Sequence, residues 1–411
     1  MKKAGICGMS ALGAISNPDV CVVLTTQWRA SAFGFAGDPN ARTICLDDLA
    51  EESRWIRQAV TPHPFGVFAR AAFLTGLRSP KNGIENYFDP LPAKSRSLAA
   101  AFEVAGYETA FFGKWQLYER DPLAPVVGEA HARVVVPENR RLGFGLWEGF
   151  ESGFLLNDPL LHGTGIPQPK RFEGYQSDVV IDRFLEFRRR RTSRKPLFSV
   201  ISLDSPHPPY AAPAAGIKPL DPDSIRLLRG TTSDPDLRAT ARRELSGYYS
   251  HIEATDRSIG RLVDFERKFG CWNDSIFAFS SVHGDMHGVD GKFRKGWPDE
   301  EAVRIPMLIK GAGIGVDDDL LMSLVDLGPT LLGLAGVDSA WGGDGSNLAS
   351  CLLGGDPGPP QQEISMPSVP PFAKQCAYVW NANRTPERTE VFPKDDEPYT
   401  LEHLGNWEFE A

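Results

Sequence analysis

The chain is poor in the side chains that hold soft metals and in the charge that draws a protein to nucleic acid. Its six cysteines (Cys7, Cys21, Cys45, Cys271, Cys351 and Cys376) make no C-x-x-C pair, and none stands near a histidine at ligand spacing. That argues against a zinc site and for a reduced, cytoplasmic setting. No apolar stretch approaches the ~20 residues of a membrane helix, so no membrane partner is expected. The net charge is −9 and the pI about 5.5. Without a global basic field, no nucleic-acid partner is expected either. No internal repeat is visible.

What is present is ordinary globular composition: 411 residues, 42% hydrophobic and 24% charged, enough to bury a large core. Length alone fits two or three domains, or one large α/β unit with an appendage. Lys2 and Lys3 ahead of Ala4–Ser16 have the outline of a signal segment. The stretch is rich in Gly and Ala and has no Leu run, so residues 1–16 read as an N-terminal extension and export is not expected.

Val20–Leu24 is a short β-branched run of the kind a strand buried on both faces shows, and Phe198–Ser202, Ile276–Phe279 and Pro306–Ile309 repeat the pattern. Helical periodicity lies between them at Ser97–Ala105, Val179–Arg190, Arg243–Phe265 and Ser323–Leu334. The alternation predicts an α/β fold with a large, mostly parallel sheet between helices. Arg188, Arg189, Arg190 and Arg191 close one helical segment and read as a solvated helix end complementing the helix dipole. Irregular stretches run over 118–137 and 208–237 and are candidates for the rim of a site. Gly354–Pro360 can hold neither helix nor sheet. The expected division is therefore a main domain over 17–353, then a linker and a small C-terminal subdomain, a little sheet, over 354–411.

A series of segments, in order, resembles the sulfatase family of the alkaline-phosphatase superfamily. Pro18–Arg29 is similar to its first strand and loop, Leu46–Ala50 to its first helix, and Arg70–Gly76 to the arginine-led helix after the nucleophile. Gly106–Ala110 leads into Phe112–Leu117, close to the family's G-K-W-H-L, and Gly143-Phe144 and Glu148–Phe150 follow. Ser205–Pro209 resembles the substrate-binding A-P-H-P-P, and Tyr248–Leu262 a helix opening Y-Y. Ser281–Met286, Lys295-Gly296 and Arg304–Pro306 resemble the metal-and-lysine loop, and Asp326–Leu331 a late helix. The likeness covers about residues 17–350 and implies that family's fold.

It also implies which chemistry should be present. Sulfatases use a formylglycine made from the Cys (sometimes Ser) of Cys-x-Pro-Ser-Arg, one divalent cation held by carboxylates, and basic side chains around the sulfate. The motif's arginine falls on Arg70, so its nucleophile falls on Gly66, which has no side chain to oxidise; Phe68 and Ala69 replace the Pro and second Ser. The paired metal aspartates correspond to Thr26 and Gln27, and the Asp of the later pair to Val282. No metal and no other cofactor is expected with such ligands.

Arg70, Lys114, His207, His283 and Lys295 fall on family positions around the sulfate, with Gln116 where a histidine is usual. Acids are replaced while bases stay. The expectation is a pseudo-sulfatase: a sulfatase-fold protein without sulfate-ester turnover, keeping a basic pocket for a small anionic ligand. Up to three fixed cations there would repel one another unless an anion sat among them. Each base also has a structural reading, such as Lys114 lying over the Trp115 ring. The alternative is a repurposed, metal-independent enzyme acting on a sulfated, sulfonated, phosphorylated or carboxylated small molecule. His207 or His283 would then serve as acid or base, or His63 with Thr61 as base and nucleophile. His287 and the carboxylates Asp285, Asp290 and Asp299 stand near the later loop. A homodimer is the base-rate assembly.

Overall fold

A computed structural model describes residues 17–269, 272–315, 320–338, 341–355, 357–370, 374–403 and 407–410. The N-terminal extension, Cys7, Cys271 and Asp356 lie outside the described residues. Fifteen strands occur among them: β1 (Val20–Thr25), β2 (Arg54–Trp55), β3 (Gln58–Val60), β4 (Glu108–Lys114), β5 (Leu146–Phe150), β6 (Leu160–Gly163), β7 (Ile166–Arg171), β8 (Leu197–Ser202), β9 (Ile276–Ser281), β10 (Met307–Lys310), β11 (Leu321–Ser323), β12 (Gln362–Met366), β13 (Trp380–Arg384), β14 (Arg388–Pro393) and β15 (Tyr399–Glu402).

Nine of them form one sheet in the order β2-β10-β9-β1-β8-β4-β5-β6-β7. The five central strands, β9 to β5, run parallel. At the two edges β10, β2, β6 and β7 are each joined to the preceding strand by antiparallel pairing. The apolar run at 306–309 is thus an antiparallel neighbour of β9, although its composition reads like that of the parallel strands. Burial on both faces, which both kinds of strand share here, is what the composition reports.

β1 shows why the sheet lies at the centre. Val20, Val22 and Leu24 face one core, with the helices Gly66–Thr75, Leu98–Val104 and Leu324–Leu334. Cys21 and Val23 face the other, under the helices Ile44–Glu51, Gln176–Arg190 and Pro235–Lys268. The period-2 alternation of a strand thereby feeds two apolar layers. Cys21 is a small buried hydrophobe, and burial pushes its thiol up to about 12. Cys21, Cys45, Cys351 and Cys376 are free thiols.

The helix read as Arg243–Phe265 is longer, Pro235–Lys268. Asp234 accepts from the amides of Asp236 and Leu237, and Pro235 takes the first helical position. Its opening turns are polar, so they carry no apolar period to detect. The arginine run is less solvated than expected. Arg188 makes a two-pronged pair with Glu266, Arg191 bonds Glu108, and Arg189 lies over the Phe265 ring. Arg190, 79% exposed at its side chain, reaches solvent and pairs with Glu186 at 2.7 Å.

β12 to β15 make a separate antiparallel sheet. Ile364, Met366, Trp380, Ala382 and Val391 bury into the first of the two cores. Among the described residues no helix is long and apolar enough to cross a membrane.

Candidate functional site

The strand ends assemble the site. Thr26 and Gln27 follow β1, Lys114 ends β4 with Gln116 just beyond, Asp204 and His207 follow β8, and Val282 and His283 follow β9. All lie at the carboxyl ends of parallel strands, the usual place for ligand sites in open α/β sheets. Gly66 opens the helix Gly66–Thr75, and Arg70 stands one turn further along it. Together these residues surround a cavity of about 220 Å³, bordered by Thr26, Gly66, Lys114, Gln116, His207, His283 and Lys295. Gln27 and Gln116 both hold left-handed backbone, φ 67° and 59°, a conformation that costs non-glycine residues about 1–3 kcal/mol and clusters at functional sites.

Beneath the cavity floor, the guanidinium of buried Arg70 donates to Thr26 Oγ1 at 2.6 Å, Gln116 Oε1 at 2.9 Å and Ser202 Oγ at 3.3 Å. All three are neutral partners. Burial pulls Arg70 down to about 10, against the opposing charges of Asp204 and Glu151. A Cβ added at Gly66 would meet Arg70 Nη1 at 2.7 Å and Gln116 Oε1 at 3.0 Å. The space of a side chain at position 66 is therefore taken by these two residues. The Gln116 amide, expected to face a ligand, instead turns its Nε2 to the Tyr87 hydroxyl at 3.4 Å.

Lys114, fully buried, donates to Asp204 Oδ1 at 2.6 Å and lies 4.0 Å from the centre of the Phe154 ring, not over Trp115. Burial pulls Lys114 down to about 7, against Asp204. Lys295 Nζ donates to Gln27 Oε1 at 2.7 Å and to His207 Nε2 at 3.1 Å. Burial pulls Lys295 down to about 8, against Asp285. Gln27 passes the connection on, since its Nε2 donates to Asp285 Oδ2, which also accepts from Tyr210 OH. Burial pushes Asp285 up, but His287, Arg294 and Tyr210 outweigh it and hold the carboxyl below its usual range.

Both cavity histidines are neutral. Nδ1 of His207 bonds the Pro208 carbonyl and Nδ1 of His283 the Gly284 carbonyl. Each ring therefore carries its proton on Nδ1, and His207 Nε2 accepts from Lys295. Burial, then the nearby Lys295, drives both pKa values well below 6.5. His283 Nε2 is buried at the cavity wall with no hydrogen-bond partner.

His63 stands apart. Its Nδ1 bonds Ser365 O at 2.9 Å and its Nε2 accepts from the Ser79 amide at 3.0 Å, while Thr61 Oγ1 donates to the His63 backbone carbonyl. The Thr61–His63 pair is not a nucleophile and base: the hydroxyl never meets the ring. His287 is buried among Tyr210, Tyr248 and Asp285. Asp290 and Asp299 border a separate cavity of about 240 Å³, at the edge of the C-terminal strands, that holds none of the basic cluster.

The expectation of bases left without acids needs correcting. Asp204 was missed, yet it is buried and paired with Lys114, and Asp285 reaches Lys295 through Gln27. The signal for Asp204 was a lone acid closing the apolar run of β8, directly ahead of Ser205–His207. Phe154, Tyr87 and Cys376 also border the cavity, and nothing in their spacing marks them.

The family resemblance implies a divalent cation, and the donors at those positions do not fit one. Thr26 and Gln27 offer neutral oxygens, Val282 a hydrocarbon, and the Lys295 ammonium already sits on Gln27 Oε1. A hard dication needs several anionic or carbonyl oxygens to replace its water. Among the described residues no group of three His, Cys, Asp or Glu side chains converges in this way.

The large central sheet flanked by a small antiparallel C-terminal sheet, together with the matches that follow, places the chain in the alkaline-phosphatase-like superfamily. The family model for sulfatases matches residues 18–337. An ulvan-active sulfatase of Formosa agariphila is 31% identical over 96% of this chain and 79% of its own. An arylsulfatase of Clostridium perfringens is 27% identical over 77% of this chain and 75% of its own. Among solved structures, a protein of glycosaminoglycan metabolism from Bacteroides thetaiotaomicron superposes with TM-score 0.81 at 20% identity, covering 94% of this chain and 90% of that one. A phosphonate monoester hydrolase of Agrobacterium radiobacter reaches 0.73 at 18% identity, covering 95% and 90%. The chain belongs to the sulfatase family.

Proposed function

We propose that this protein binds a small anion in the cavity between Lys114, His207, His283 and Lys295 and does not hydrolyse sulfate esters by the formylglycine and calcium route. The relatives' names argue for hydrolysis, and the side chains at positions 26, 27, 66 and 282 argue against it. The observation that carries the reading is the packing around Gly66, where Arg70 and Gln116 occupy the room a nucleophile would need. The buried ammonium groups and the Arg70 charge beneath the floor supply the attraction for an anion.

The test is a pair of measurements on purified protein: hydrolysis of 4-nitrophenyl sulfate with and without added calcium, and calorimetric binding of sodium methanesulfonate, a small monoanion. The expected result is no turnover above the uncatalysed rate, with binding that falls at least tenfold in Lys295→Ala. Turnover that requires calcium would overturn the reading.

A second reading is a metal-independent enzyme on an anionic substrate, and the unpartnered, neutral Nε2 of His283, a residue bordering the cavity, favours it, since an unused lone pair can accept a proton. Were this reading right, conversion of an anionic ester without calcium would be abolished in His283→Gln.

A further inference from the structure

The charges of the cavity and the chemistry of its mouth together restrict what it takes, on the reading that it binds an anion. Three cations, Arg70, Lys114 and Lys295, stand against two carboxylates, Asp204 and Asp285. The histidines are neutral, and the neighbouring Arg294 and Arg120 are matched by Glu244 at 2.6 Å and Glu151 at 3.7 Å. One positive charge is left uncompensated. A single negative charge balances the site, whereas a second would be buried without a partner, which is strongly unfavourable.

The rest of the lining differs in character. Phe65, Val126, Val127, Phe154 and Cys376 border the cavity with hydrocarbon, aromatic faces and a thiol. The Phe154 ring is stacked on His207 at 4.0 Å and Phe65 lies edge-on to Tyr87 at 5.5 Å. Val127 is 59% exposed and open to whatever enters. The nearby Tyr87 hydroxyl is engaged by Gln116, and Arg294 by Glu244. A sugar ring entering here would leave its hydroxyls against apolar groups, each a lost hydrogen bond to water. An apolar body would bury surface instead.

We propose that the cavity takes an amphiphilic monoanion: one sulfate-ester, sulfonate or carboxylate head carried on a small apolar body, in preference to a sulfated sugar or a dianion. At about 220 Å³ it is below the roughly 300–1,000 Å³ of clefts that hold drug-sized ligands, so the body is a single ring or a short chain. The apolar lining is the specificity element and the ammonium groups the anchor.

Calorimetry at pH 6 with five probes tests this: 4-toluenesulfonate, methanesulfonate, glucose 6-sulfate, benzene-1,3-disulfonate and the neutral 4-methylbenzyl alcohol. The expected order places 4-toluenesulfonate at least tenfold tighter, about 1.4 kcal/mol, than each of the other four. Replacing both mouth valines (Val126→Ser with Val127→Ser) should weaken 4-toluenesulfonate at least threefold and leave methanesulfonate unchanged. Glucose 6-sulfate or the disulfonate binding as tightly as 4-toluenesulfonate would overturn the substrate class while leaving the anion pocket standing. The alcohol binding as tightly as 4-toluenesulfonate, or none of the probes binding, would overturn the anion pocket itself.

Discussion

Position 66 sets what the pocket can do. Arg70 is held by three hydrogen bonds to neutral partners, so its guanidinium cannot swing aside for a new side chain without leaving buried donors unmet. Gly66→Cys and Gly66→Ser are therefore expected to lose about 1–3 kcal/mol of stability in urea unfolding, the usual cost of overpacking. Neither variant is expected to gain sulfatase activity; measurable turnover in either would show that the pocket is only one side chain from working. The pKa directions at Lys114 and Lys295 make a second prediction. Both ammoniums lose their protons as pH rises through about 7 and about 8, and an anion binds to the protonated forms. Affinity for 4-toluenesulfonate should hold near pH 6 and fall at least tenfold by pH 9, and a flat profile in calorimetry would place the anion elsewhere. The identities of Gly66, Arg70, Lys114, His207, His283 and Lys295 were legible because each sits in a short motif. What each one touches was not. Gln116 turns toward Arg70 and Tyr87, and Lys114 toward Asp204 and Phe154, contacts across 29 to 90 positions of chain.

Among the elements, the C-terminal sheet matters most to the site although it lies outside the residues that carry the resemblance. Trp380 of β13 donates to the Gly296 carbonyl at 2.9 Å, directly beside Lys295. His63 and Ser365 tie β12 to the turn ahead of the helix Gly66–Thr75. His63→Ala should leave the Ser79 amide orphaned and open a small cavity, at a cost of about 2–4 kcal/mol in thermal or urea unfolding. Because its ring does not border the pocket, 4-toluenesulfonate affinity of the folded variant should stay within twofold. A large loss of affinity with no loss of stability would return His63 to the list of working residues. Arg384 of β13 is fully buried and bonds Glu300 and Gln58. Removing one partner of such a pair costs about 3–5 kcal/mol, so Arg384→Ala should make residues 362–402 the first to be cut in limited proteolysis. The long helix from Pro235 and the antiparallel β10 show where periodicity stops informing. A capped polar start carries no apolar stripe, and an apolar run has no sign for strand direction.

At the scale of the whole molecule, burial of histidine governs the response to acid. Seven of the eight histidines have pKa values lowered by burial: His63, His162 and His251 to about 4, His287 to about 3, and His207, His283 and His403 also downward. Between about pH 6.5 and 4 the unfolded chain binds those protons and the folded chain does not, so stability falls as pH falls. Glu151, Glu301, Asp256 and Asp326 oppose this, because burial raises them to about 6–7 and the folded state takes up their protons first. The histidines outnumber them, and the melting temperature should drop between pH 7 and pH 5; a rise would mean the buried carboxyls dominate. By itself the sequence determined the α/β class, the family and the residue types at the strand ends, because strand patterning and short motifs are local. Only the tertiary structure decided that Asp204 pairs with Lys114 and Asp285 reaches Lys295 through Gln27, that Arg70 and Gln116 take the space at Gly66, and that apolar side chains share the cavity lining with the basic ones. Those outcomes depend on distance and burial, which bring together groups up to 268 positions apart and which no local pattern encodes.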